Sequence, residues 1–217
     1  MCGRYIINPD DRFFRDLAEI INRSPLISRF HGKQPAAADG AFGGEVTPAS
    51  VVPVIAPNRS GERSVFPMQW GFTLSASGGG KKPPLIINAR SETAADKPLF
   101  RDSWAQRRCV IPASGYFEWE HSMGFDGKPK VGTKYLIAPK KGERTYLAGL
   151  YRIEEGLPVF AVLTRAPAAD LFWMHDRMPV MLPEEKTDAW LSPQNDPEEI
   201  LASALTETVW EPAPAGA

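Results

Sequence analysis

Arg108-Cys109-Val110-Ile111-Pro112-Ala113-Ser114-Gly115-Tyr116-Phe117-Glu118-Trp119 reads as mostly extended chain, rich in β-branched and aromatic residues. The period of two sets Phe117 and Trp119 on one side of its end, with Tyr116 and Glu118 on the other. Residues 121–132 follow as a glycine-containing connection of hairpin-loop type, and strands are predicted at 134–138, 145–151 and 157–164. Upstream, 2–7 reads as a short strand that would anchor the chain start in a sheet. A helix is predicted next, with Asn8 as N-cap, Pro9 at its first position and Phe13, Leu17, Ile20 and Ile21 on its apolar face. Ser24-Pro25 ends it.

Residues 31–44 and 75–84 are rich in Gly, Ala, Pro and Lys and read as loops. Between them, Glu45 to Ala56 is punctuated by Pro48 and Pro53 and suggests an edge strand or irregular extended segment. Leu85-Ile86-Ile87-Asn88-Ala89-Arg90 begins apolar and ends polar, with Asn88 and Arg90 on the same face. Short helices are expected at 97–106, 168–174, 183–191 and 197–205, and 206–217 as a loose tail. Strands with interspersed helices but no βαβ rhythm predict an α+β single domain over 1–217, its mostly antiparallel sheet curled or barrel-like with peripheral helices.

With 217 residues and 43% hydrophobic content, the chain is long enough to bury a full core. A formal net charge of −1 argues against a generally polyanion-coating protein, so nucleic-acid contact would need a local cationic patch. Two cysteines far apart, Cys2 and Cys109, with no Cys/His cluster, indicate neither a disulfide framework nor a metal site. No signal-peptide pattern and no membrane-length apolar run is present, so a soluble cytoplasmic protein without membrane contact is expected; a monomer is expected as well.

The chemistry starts at Met1-Cys2-Gly3-Arg4. Methionine removal favours a small second residue and would leave Cys2 with a thiol and a free α-amine on adjacent carbons. Such an amine titrates near ~7.7–8.0, against ~10.4 for lysine, so at neutral pH it is the readier nucleophile toward an aldehyde. The thiol, with a free pKa of ~8.5 that a cation such as Arg4 would lower, can then close on the imine carbon to give a thiazolidine. From these residues alone, Cys2 is equally a small residue opening a strand.

Further candidates each carry two readings. Asn88 is a strand-end amide bonded to a loop, or a hydrogen-bonding group of a site. Glu118, bracketed by Phe117 and Trp119, is a desolvated general acid–base or the partner of an arginine. His175, at a helix-to-loop break, is an acid–base group or a capping histidine; His31 and His121 lie in irregular loops. Arg4, Arg90 and Arg177 are phosphate ligands or ordinary surface arginines. Trp70 could stack on a nucleobase but, taken alone, reads as a core tryptophan. Cys109 looks like strand packing.

Taken in order, Met1-Cys2-Gly3-Arg4, Asn88-Ala89-Arg90 with Glu92-Thr93, Gly115-Tyr116-Phe117-Glu118-Trp119 and His175-Asp176-Arg177-Met178-Pro179 closely resemble the SOS-response-associated peptidase (SRAP) family of abasic-site processing proteins, from Cys2 to about Leu191. The resemblance implies binding of single-stranded DNA and a covalent crosslink to the abasic-site aldehyde. It implies site roles for Cys2, Asn88, Glu118 and His175. Joined with the reading of the residues, it leads to the expectation that Arg4, Arg90 and Arg177 hold flanking phosphates and that Trp70 and Pro48 form an apolar shelf for a base; no metal or cofactor is expected, because an aldehyde is already electrophilic. The peptidase label reflects a proposed self-cleavage that exposes the cysteine, and strand scission is a further implied activity. Two departures stand out: Glu45-Val46-Thr47-Pro48 where many relatives have Asn-x-Ala-Pro, and 206–217, which lacks the usual ending. Rivals are a glutamine amidotransferase, which shares Met-Cys-Gly but needs an Asn-Gly-Glu stretch missing here, a cysteine hydrolase using Cys2, His175 and Asn88, and a non-catalytic single-strand reader.

Overall fold

The structure, a computed structural model, describes residues 2–30, 43–74, 84–123, 129–142 and 144–213. Its strands are β1 (Arg4–Ile7), β2 (Gly44–Val46), β3 (Val51–Pro57), β4 (Arg63–Trp70), β5 (Phe72–Thr73), β6 (Leu85–Ile86), β7 (Asn88–Arg90), β8 (Arg108–Ala113), β9 (Gly115–Met123), β10 (Pro129–Pro139), β11 (Thr145–Glu154), β12 (Leu157–Arg165), β13 (Met178–Pro179), β14 (Met181–Leu182) and β15 (Thr208–Pro212). The helices are α1 (Arg12–Asn22), α2 (Arg101–Gln106), α3 (Thr187–Leu191) and α4 (Pro197–Ala202). None is long and apolar enough to cross a membrane.

Five strands close on themselves in the order β12-β4-β3-β8-β11 and back to β12, with β7, β13 and β14 added at the barrel's edges. A second sheet runs β15-β10-β9-β1-β2. The α+β single-domain, mostly antiparallel and barrel-like architecture expected from the sequence is the one observed. The barrel strands are buried on both faces, which is why they read as continuous apolar runs. In β8, Cys109, Ile111 and Ala113 join one core with Tyr5, Ile7, Tyr116 and Ile137 of the second sheet. Val110 joins the other core, under Trp104, Trp190 and Ile200 of the helices. The period of two thus feeds two cores from one strand.

Several expectations need correction. β3 lies between β4 and β8, not at an edge. Pro53 is tolerated because it faces Pro67 across the β4 ladder, while β3 and β8 pair only at Ile55 and Val110. The first helix starts at Arg12, because Asp11 accepts the Phe13 N–H at 2.9 Å and is the true N-cap. Asn8 caps the preceding turn, accepting from Asp10 N–H at 3.0 Å. The buried face of α1 is Phe14, Leu17, Ala18 and Ile21, and Ile20 is exposed.

The connection expected at 121–132 is mostly strand, since β9 and β10 pair out to Met123 and Pro129. Within 168–174 there is only the 3-10 turn Ala169–Leu171. Residues 208–212 of the expected loose tail form β15, paired with β10 from Tyr135–Pro212 to Pro139–Thr208. The loops expected at 31–44 and 75–84 lie largely outside the described residues.

Candidate active site

β1 inserts between β2 and β9, pairing Arg4 with Phe117 and Tyr5 with Tyr116. Glu118 therefore sits one residue beyond the last pair, beside the start of the chain. The close approach of β9 to β10 depends on Gly115, where a Cβ would meet the Ile137 carbonyl oxygen at 2.8 Å. On the barrel side, β7 runs parallel to β12 with Asn88 opposite Val162. That register brings the Asn88 amide to the second sheet, where Nδ2 donates to the Cys2 carbonyl at 2.9 Å. Asn88 Oδ1 is buried and has no hydrogen-bond partner among the described residues.

Cys2 is fully buried, in the core shared by the two sheets. Burial first, and then the Glu118 carboxylate, push its thiol up to about 12. The expectation that Arg4 would lower this pKa is thus corrected: the Arg4 side chain turns away to pair with Glu45. Glu118 itself is 4% exposed and lies opposite Tyr135 on β10. Tyr116 belongs to the same group, its phenol held neutral by burial and by the nearby Cys2 and Glu118.

His175 follows the 3-10 turn; Leu171 at the end of that turn and Met174 after it share the Cys2 core. Its Nδ1 accepts from the Arg177 backbone N–H at 3.1 Å and lies 2.7 Å from the Asp176 carboxylate. The first contact needs a lone pair on Nδ1 and the second an N–H there, so the two belong to different placements of the ring proton. Arg177 anchors this loop: it binds Glu92 in bidentate fashion at 2.8 and 2.7 Å and donates to the Thr164 carbonyl at 2.7 Å. His31 and the side chain of His121 lie outside the described residues.

The structure thus joins Cys2 and Asn88 by a hydrogen bond and Cys2 and Glu118 by electrostatic contact, and places His175 on a loop packed into the same core. The outlying candidates fare differently. Arg90 is exposed at the end of β7, two residues from Asn88, and Pro48 is half-buried in the turn after β2. Arg4 is 45% exposed and pairs with Glu45, whereas Arg177 is committed to Glu92.

Trp70 is not a surface shelf. It is 0% exposed, stacks on Phe160 at 6.2 Å and donates to the Ile87 carbonyl at 2.9 Å, so no base can reach it. Cys109 is buried strand packing. A groove of about 800 Å³ lined by Arg29, Phe66, Met68 and Tyr151 contains none of the candidate residues. The converging chemistry marks the site better than that volume does. Sequence reasoning did not single out Tyr116, which the structure places beside Cys2 and Glu118. Tyr116 shares the Glu118 face of its strand, and that alternation was the available signal.

A family model described as SOS response associated peptidase (SRAP) matches residues 1–213. The chain is 30% identical over 212 residues to the abasic site processing protein YoqW of Bacillus subtilis, covering 94% of this chain and 86% of that one. It is 32% identical over 159 residues to the abasic site processing protein YedK of Escherichia coli, covering 67% and 66%. A phage-related protein from Bordetella bronchiseptica shares the fold at a TM-score of 0.67 and 23% identity, over 98% of this chain and 94% of that one. A protein from Bacteroides thetaiotaomicron does so at 0.67 and 19%, over 96% and 90%.

Proposed function

The chain belongs to the SOS response associated peptidase (SRAP) family, and from that premise and the site geometry we propose that it processes abasic sites in single-stranded DNA by forming a covalent crosslink through Cys2. The supporting observation is the bond from Asn88 Nδ2 to the Cys2 carbonyl at 2.9 Å, beside Glu118, which gathers three distant segments at the start of the chain.

Removal of Met1 by hydrolysis frees the Cys2 α-amine. The amine adds to the ring-opened sugar aldehyde to give a carbinolamine. The Glu118 carboxylate takes each proton the nitrogen gives up and passes it to the oxygen, so that water leaves and an imine forms. The thiol then adds through sulfur to the imine carbon while its proton passes to the nitrogen, closing the thiazolidine with net loss of one water. A neutral thiol suits this order, because the amine attacks first and the sulfur ionises only as it closes on an imine. A thiolate hydrolase would need the opposite shift. Asn88 positions Cys2 through its N–H, and its buried Oδ1 is available to an N–H or O–H of the adduct.

His175 serves as the second acid–base group, favouring imine formation and, in a side branch, strand scission by elimination. Arg4 and Arg90 hold flanking phosphates and Pro48 contacts a base, with Arg177 recruited only if Glu92 releases it. The protein works as a cytoplasmic monomer. To test this, purified protein is mixed with a single-stranded oligonucleotide carrying one abasic site and run on a denaturing gel. A heat-resistant shifted band is expected, lost in Cys2→Ala and in protein that retains Met1; a band that survives Cys2→Ala contradicts the reading.

A further inference from the structure

Opposite the face that carries Tyr5, Tyr116 and Glu118, the second sheet presents an ion-pair triad that the crosslinking chemistry does not use. Arg4 faces Phe117, Lys134 faces Trp119 and Glu45 faces Ile6 in the ladders of β1, β2, β9 and β10, so the three side chains emerge on one face. One Glu45 oxygen pairs with the Arg4 guanidinium and the other with the Lys134 ammonium. Beneath them lies an aromatic floor: Lys134 Nζ is 4.0 Å from the Phe117 ring centroid and 5.6 Å from that of Trp119, and Arg4 Cζ is 5.6 Å from Trp119. Glu45 and Lys134 are largely covered, at 13% and 19% side-chain exposure, while Arg4 is open at 45%.

Resting on the reading that a DNA strand passes this site, we propose that Arg4 and Lys134 form one phosphate subsite and that Glu45 is its attenuator, a carboxylate standing where a backbone phosphate would bind. Two cations converging on one point are the arrangement that recognises a phosphate. With Glu45 between them the local charge is +1 instead of +2, so an incoming phosphate must share or displace a resident anion. Burial acts to raise the Glu45 pKa, but hydrogen bonds from Lys134 and Arg4 outweigh it and leave the carboxyl below its ordinary range. The attenuator therefore stays charged near neutral pH. Strand binding is held weaker and less salt-sensitive than the cations alone would make it, which suits a protein that must sample undamaged DNA without lingering.

The test uses the full chain and an intact single-stranded oligonucleotide without an abasic site, so that no crosslink forms, and reads affinity by fluorescence anisotropy across a salt series. Glu45→Gln is expected to bind roughly fivefold tighter at low salt, with the log K against log salt slope steeper by about 0.7, the increment of one further phosphate contact on single strands. Lys134→Gln alone is expected to bind more weakly, with a slope flatter by about 0.7. Unchanged or weaker binding by a folded Glu45→Gln, or no effect of Lys134→Gln, would overturn the assignment while leaving the crosslinking reading intact. Wild-type protein that binds no strand and crosslinks no abasic site would overturn both.

Discussion

In the proposed reaction, burial of Cys2 bears on which of its two nucleophiles leads. Burial and the Glu118 carboxylate push the thiol up to about 12, which favours the amine as the group that opens the proposed chemistry. Asn88 then matters through the carbonyl it holds. Asn88→Ala is expected to slow crosslinking on the order of 10–100-fold, while the loss of one net hydrogen bond costs about 1 kcal/mol of stability. A gel time course with a parallel urea melt checks this, and equal rates with unchanged stability would contradict it. Asn88 and Glu118 stand out in the sequence because each breaks the apolar logic of its strand, but that pattern left two readings open for each, and only the family resemblance pointed to site roles. The partners of Arg177 and Glu45 were not, because ion pairs across 85 and 41 residues leave no local pattern.

Among the elements, β15 carries the clearest consequence. It extends the second sheet beyond β10 and brings Trp210 against Tyr135 and Trp173, at centroid distances of 5.5 and 5.4 Å. A chain ending at Glu207 would strip this edge and uncover those rings. We expect a loss on the order of 2–4 kcal/mol, seen as a melting temperature lower by about 5–15 °C. An unchanged melt would mean the segment is the loose tail its Pro/Ala-rich end suggests. That composition is why sequence reading failed here: five paired residues are too few to outweigh the signal of the flanking prolines. Proline likewise misplaced β3, since nothing local reveals that Pro53 would face another proline across the ladder.

At the scale of the molecule, the barrel and the second sheet share a core that buries several acidic protons. Burial raises Cys2, Cys109, Tyr5 and Tyr116 alike. Above their ordinary values the unfolded chain releases protons that the folded chain keeps, so stability falls as pH rises. For Cys2 the loss begins as pH passes the ordinary thiol value and grows until about 12. Urea midpoints should therefore decline steadily from about pH 8.5 to about pH 10.5, and less steeply in Cys109→Ala; a flat profile would contradict the buried placement. Strand content and the closed, mostly antiparallel architecture were legible from alternation and turn chemistry. The joining of the two sheets at Cys2 was not, because it depends on the parallel β7–β12 register, which only the folded chain displays. The central claim is tested most directly by intact mass spectrometry of the denatured protein–DNA product without prior reduction. The account predicts the mass of the chain lacking Met1 plus the abasic oligonucleotide minus one water, with the modification mapping to Cys2. An adduct on a chain that retains Met1, or one mapping to a lysine, would contradict it.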